Sequence, residues 1–203
     1  MNKIGFPLGD RNDGSSYVPI NHFKRKETDK NQVQKEVSEL IDKIEGKIPR
    51  KFGDAIKYIL GELSDNIDNH SEFSYASLMA QYFPTKKMVD IAVFDNGITI
   101  PGCFEKHGIV FRDEGDAINK TISGEVTTKK EEVMRGYGLR SCKRLSTEGV
   151  EGELYIISTK GVLIFNSTKK PLFYTLDNSL KGTFLYFRLP LPKEKLDIYP
   201  FVV

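Results

Sequence analysis

The sequence predicts an α+β domain in which a sheet carries helices on one face. Three observations predict it: residues at helical apolar spacing come first, two strand-like runs follow as a hairpin, and four more strand-like runs close the chain. Between the hairpin and the last runs lies an irregular stretch of about 35 residues, Pro101 to Arg135, with only short helical patches. Connections that long are uncommon in compact domains and are usually functional or disordered.

The chain has 203 residues, enough for one well-buried core and too few for two comfortable domains. Its 30 basic and 28 acidic residues leave a net charge of +2, so no strong field points to nucleic acid or an anionic membrane. Cys103 and Cys142 fit no metal or redox spacing and are expected as reduced structural thiols. The opening "MNKIGFPLGDRNDGSS" lacks the apolar core of a signal peptide, and no run approaches the ~18 apolar residues of a membrane span. The expectation is a soluble cytoplasmic protein.

Residues 1–30 are polar, with one apolar island at "SYVPINHF", and are expected as a mobile arm or an edge strand. "QVQKEVSELIDKIEG" places Val33, Val37, Leu40, Ile41 and Ile44 at helical spacing and closes on Gly46. A second helix is expected from about Arg50 to His70. "YASLMAQYF" and "KMVDIAVFD" read as strands joined at "PTKK". "RGYGLRSCKRL" reads as a helix opening behind glycines. "GELYIIST", "GVLIFNS", "PLFYTL" and "GTFLYFRL" then read as an antiparallel meander.

The second helix poses a question of burial, because its end, "GELSDNIDNH", is crowded with polar groups. At ~100° per residue, Phe52, Ile56, Ile59, Leu60, Leu63 and Ile67 share one arc and form the core face. Asp65 and Asp68 point away from it, toward solvent. Glu62, Asn66 and His70, spaced by four, form a stripe along the border of that face. A border stripe alone is most often merely solvated, but it is also where a helix presents polar groups to a cleft.

Three glycine motifs accompany the stripe. "VFDNGITIP" sets Asp95, Asn96 and Gly97 directly after an apolar strand. D-N-G is ordinarily a hairpin turn, yet "ITIP" does not return as a clear strand. "RGYGL" sets Gly136 and Gly138 at a helix start, where free N–H groups can hold phosphate oxygens. A lone G-x-G is weak, and it is neither a Rossmann fingerprint nor a Walker sequence. In "KGTFLYF", Gly182 and Thr183 open a strand.

Taken in order, the E-x-x-x-N box at Glu62 and Asn66, D-x-G followed by I-P, a lid, G-x-G-L and a late G-T resemble the GHKL ATP-binding superfamily. That group includes gyrase-type topoisomerases, mismatch-repair ATPases, sensor histidine kinases and anti-sigma-factor kinases. The resemblance covers about residues 35 to 190. It implies the Bergerat-type fold: a two-layer α/β sandwich with a mixed, mostly antiparallel sheet and helices on one face. Residues 1–30 would be an extension and 31–203 the ATP-binding domain, with its lid at about 101–135.

The resemblance also implies ATP and Mg²⁺ as cofactors. Asn66 matches the asparagine that helps hold Mg²⁺, for which an amide oxygen is suited. Glu62 matches the glutamate that orients or deprotonates a nucleophile. Asp95 matches the acceptor of the adenine amino hydrogen, Gly97 the residue passing beneath the base, and Thr183 the hydroxyl near that aspartate. Gly136 and Gly138, with Leu139, match the phosphate-binding G-x-G-L. His70 coincides with a frequent histidine of anti-sigma relatives, where packing is the favoured role. In the lid sequence "GEVTTKKEEVMRG", Thr127, Thr128 and Lys129 offer donors for phosphate, while Lys130, Glu131 and Glu132 read as a solvated run. One departure stands out: Thr99 replaces the usual second glycine. Threonine restricts the backbone and Pro101 biases Ile100 toward extended geometry, so a stiffer lid entrance is expected.

A sensor histidine kinase needs a phosphoaccepting histidine on a dimerising helix, and "QVQKEVSELIDKIEG" contains none. The topoisomerase and mismatch-repair types use a lysine from a following domain, so hydrolysis is expected to be slow or completed by a partner. The favoured expectation is a Mg-ATP-binding domain with weak ATPase or kinase-like chemistry, switching a protein partner between its ATP and ADP states. An anti-sigma-type serine kinase and a non-enzymatic ATP-gated binding module are the alternatives, and a homodimer stays open.

Overall fold

The structure, a computed structural model, describes residues 17–24, 42, 48–70, 72–125, 138–168, 170–193 and 196–202. Helix α1 (Arg50–His70) starts where the Pro49 carbonyl accepts the Phe52 and Gly53 N–H groups. Its apolar arc behaves as the spacing predicts: Phe52, Ile56, Ile59, Leu60 and Leu63 are fully buried and Ile67 is half-buried. The arc packs against alternate residues of strand β2 (Tyr75–Phe83), namely Ala76, Leu78, Ala80 and Tyr82. Both "YASLMAQYF" and the following run form the expected hairpin, β2 and β3 (Met88–Asp95), in continuous antiparallel register from Ala76–Asp95 to Phe83–Met88.

The chain then forms α2 (Ile100–Lys106), α3 (Glu114–Ser123) and α4 (Gly138–Arg144), which runs on into a π turn at Leu145–Gly149. Strands β4 (Glu153–Phe165) and β5 (Leu172–Pro190) follow. With β1 (Tyr17–Lys24) the sheet has five strands in the order β1-β2-β3-β5-β4. Every pairing among the described residues is antiparallel, which corrects the expected mixed sheet. The physical reason lies in the connections. The helical excursion delivers the chain to the outer edge as β4, and a hairpin returns β5 between β4 and β3. β4 therefore runs in the direction of β3 without pairing with it.

β1 is the edge-strand alternative for the N-terminal region, and it belongs to the same sheet. Its register shifts between Val18 and Asn21, the interval that holds Pro19. Proline offers no N–H to a ladder and is tolerated at edges and bulges. The helix expected over "QVQKEVSELIDKIEG" lies outside the described residues except for Asp42, which is helical.

Two expectations are corrected. The four runs of the meander are two long strands, because the polar and glycine-containing breaks act as bulges. Thr159 pairs with Leu180 but Gly161 pairs with Thr175, so residues 176–179 leave the ladder while both strands continue. Positive φ at Thr159 (55°) and Gly182 (106°) accommodates the bend. The stretch after Pro101 is also not irregular throughout. Phe104 of α2 and Ala117, Ile118 and Ile122 of α3 are buried. Asp113 caps α3 by accepting the Asp116 N–H at 2.8 Å. Of the expected lid, about 101–135, the part from residue 126 on lies outside the described residues, as do residues 136 and 137.

The core thus sits between the sheet and a helical layer on one face. On the other face, Asp90 accepts hydrogen bonds from the Tyr186 hydroxyl at 2.7 Å and from Arg188 Nε at 3.2 Å. No described helix is long and apolar enough to cross a membrane.

If α3 is anchored by its buried face, Ile118→Ala should lower stability by roughly 2–5 kcal/mol, as large core truncations do. Urea denaturation measures this, and a loss under ~1 kcal/mol would mean that α3 does not belong to the core.

Candidate functional site

The β2 start and the β3 exit meet at one end of the sheet, next to the C-terminal end of α1. Asn96 joins them. Its Oδ1 accepts the Ser74 N–H at 3.1 Å and the Tyr75 N–H at 2.8 Å, and its Nδ2 donates to Ser74 Oγ at 2.9 Å. The D-N-G run is therefore not a hairpin turn: its asparagine fastens the loop to the neighbouring strand while the chain continues into α2.

Asp95, at the end of β3, is only 5% exposed. Its Oδ1 accepts the Gly97 N–H at 2.9 Å. Burial pushes the carboxyl up to about 6, and the Gly97 hydrogen bond partly opposes that rise. Across the sheet, Asp95 stands in register with Thr183 on β5, which stands in register with Ser158 on β4. All three side chains are buried, and the two hydroxyl oxygens lie 3.3 Å apart. A carboxylate and two hydroxyls thus form one polar row within an apolar core face.

Gly182 makes the row feasible. Its φ is +106°, and a Cβ there would lie 1.8 Å from the Asp95 carbonyl oxygen, so no other residue fits without moving the backbone.

The second group lies on α1. Glu62 and Asn66 are half-buried, as the border stripe predicts, whereas Asp65 is exposed. Glu62 meets the first residue of α4: a Cβ on Gly138 would lie 2.1 Å from Glu62 Oε2. That contact is with the mobile end of a glutamate, which could turn aside, so the approach marks proximity of Glu62 to α4 rather than a demand for glycine. Tyr58, one turn before Glu62, is half-buried and lies beside Glu62 and Ser141. Burial first, and the Glu62 charge with its hydrogen bond after it, raise the phenol to about 12, against the lowering effect of Ser141. Burial and then the Glu62 charge likewise push the Cys142 thiol up. Neither Cys103 nor Cys142 forms a disulfide among the described residues. Asn66 Nδ2 is buried and has no hydrogen-bond partner among the described residues. An amide left so is costly unless something else satisfies it.

Of the residues singled out in the sequence, Asp95, Gly97 and Thr183 therefore come together, and Glu62 comes together with Gly138. Leu139 packs against the core from α4. The short 71–74 connection links the α1 end to the strand that borders Asp95. Thr128, Lys129 and Gly136, and the side chain of His70, lie outside the described residues.

The expected extended geometry at Ile100 is corrected, because Ile100 opens α2. Thr99 takes the extended conformation instead (φ −73°, ψ 164°) and caps the helix, its Oγ1 accepting the Gly102 N–H at 3.1 Å. Proline suits the first helical turn, where its missing N–H is not needed. The Thr-Ile-Pro order was a legible start signal. Ser158 was also missed. It continues the alternation of Leu154 and Ile156 onto the core face, and a hydroxyl there was the signal available in the sequence.

Among the described residues no group of three or more His, Cys, Asp or Glu is placed to hold a metal. No protein-family model matches the chain, and no curated protein matches it.

The Asp95 carboxyl lies near 6 in the fold against an ordinary 3.8, so its contribution to stability is full below pH ~4 and is lost as the pH rises through 6. Asp95→Asn removes this dependence. Urea midpoints at pH 4.5 and 7.5 should show wild type losing roughly 2 kcal/mol relative to the variant. Parallel pH profiles would place Asp95 in a more polar setting than described.

Proposed function

We propose that the chain is a Mg-ATP-binding domain of GHKL type, with the Bergerat-type arrangement, that acts as a weak ATPase or kinase-like switch on a protein partner. The observation that carries this reading is Asp95: a buried carboxylate, without an ion pair among the described residues, at the open end of a strand and beside Thr183. A buried acceptor of this kind is costly unless a donor reaches it. The exocyclic amine of adenine is such a donor, whereas guanine presents a carbonyl at that position.

The residues on α1 fit the other end of a nucleotide. The Asn66 amide, whose Nδ2 has no partner among the described residues, offers a polar contact, and its N and O positions are interchangeable by a 180° turn. Mg²⁺ keeps several waters and is commonly bound through substrate phosphates with one or two protein oxygens, so an acidic cluster is not required. Bound with ATP, it would neutralise phosphate charge. Glu62 would orient or deprotonate the attacking hydroxyl or water. Glu62 lies close to the start of α4 at Gly138. Thr128, Lys129, Gly136 and the lid retain the roles the resemblance implies.

The non-enzymatic ATP-gated module stays as a second reading because Glu62 Oε2 lies against the start of α4 at Gly138, a contact that a purely structural glutamate would also make.

Asn66→Ala should weaken Mg-ATP binding in calorimetry. Glu62→Ala should leave binding nearly intact while phosphate release or transfer falls by roughly 10²–10⁴-fold. Abolished binding in a folded Glu62→Ala variant would make that residue structural. A wild type that binds Mg-ATP and turns none over with its partner present would favour the non-enzymatic module.

A further inference from the structure

Helix α2 has a complete account of its first N–H groups, and one of them leaves the helix. Gly102 N–H goes to Thr99 Oγ1, Cys103 N–H goes to the Thr99 carbonyl at 2.8 Å, and Pro101 has none. Ile100 N–H instead donates to Ser158 Oγ on β4, at 2.9 Å. Ser158 is 0% exposed, and its oxygen is also the one that lies 3.3 Å from Thr183 Oγ1. One buried hydroxyl therefore touches the start of α2 and the polar row that holds Asp95.

We propose that Ser158 is a positioning residue that couples occupancy of the base end of the site to the start of α2, an inference that rests on the nucleotide-binding reading above. Between Ser158 and Thr183 either hydroxyl can be the donor. A base that takes the Thr183 proton as an acceptor leaves Thr183 able only to accept from its neighbour. Ser158 must then donate to Thr183, which turns its lone pairs toward the Ile100 N–H. The hydrogen bond at the start of α2 tightens. Without a base either hydroxyl can donate, and when Thr183 does, the Ser158 oxygen accepts from both Thr183 and the Ile100 N–H. The regulated element is the start of α2, and base recognition is linked to it through this one oxygen.

The ligand end with no base supplies the control. Calorimetry should compare Mg-ATP and Mg-tripolyphosphate on wild type, Ser158→Ala and Ser158→Thr. Ser158→Ala should weaken ATP about five- to tenfold, the worth of a buried hydrogen bond, and leave tripolyphosphate unchanged. Ser158→Thr, which keeps the hydroxyl, should recover most of the loss. Equal weakening of both ligands would make Ser158 merely structural and overturn the proposal. Unchanged ATP affinity in a folded Ser158→Ala variant would overturn it while leaving the nucleotide reading intact. Absence of ATP binding by wild type would overturn both. Should Ser158→Ala not fold, amide exchange at Ile100 in wild type decides the question: slowing by Mg-ATP but not by Mg-tripolyphosphate supports the coupling, and equal slowing, or none, contradicts it.

Discussion

At Gly182 the backbone of β5 passes so close to the end of β3 that a Cβ would sit 1.8 Å from the Asp95 carbonyl oxygen and 2.8 Å from Asn96 Cα. The approach, with φ at +106°, brings Thr183 into register with Asp95 just after the bulge that lets β5 turn inward. Without it, Asp95 would end β3 beside open backbone and its carboxylate could hydrate. With it, Asp95, Thr183 and Ser158 are buried side by side on a face that is otherwise apolar. The cost of burying three polar groups is reduced by local partners: Gly97 for Asp95, and Ile100 for Ser158.

The same end of the molecule is fixed from the helical side. α1 buries one arc against the sheet and keeps Glu62 and Asn66 on the border of that arc, so one helix serves the core and the cleft at once. Packing determines where the polar stripe lies. At Gly138 the start of α4 lies next to the Glu62 carboxylate. Asn96 supplies the remaining constraint by holding the β3 exit loop to Ser74 and Tyr75 through the two backbone N–H groups its oxygen accepts.

Much of this was legible in the sequence. The arc on α1, the β2–β3 hairpin and the border position of Glu62 and Asn66 follow from periodicities that tertiary packing reinforces. The β4–β5 hairpin was not, because a bulge and a turn use the same polar and glycine residues, and only pairing partners tell them apart. α2 and α3 were hidden by their length: seven and ten residues carry too few apolar positions for a clear period, although Thr99 and Asp113 cap both starts. Gly182 could be suspected from its motif, but the clash that demands glycine depends on Asp95, distant in sequence. Ser158 was visible only as one hydroxyl in an apolar alternation.

The central claim is that the Asp95 carboxylate waits for a donor on a nucleobase. Carbon-13 NMR titration of the Asp95 carboxyl, with and without saturating Mg-ATP, tests it most directly. A hydrogen bond donated to the charged form lowers a carboxyl pKa. The free protein should titrate near 6 at this carbon, and Mg-ATP should move that midpoint down clearly, while Mg-tripolyphosphate should not. A midpoint unmoved by bound ATP, or moved equally by both ligands, would contradict the account.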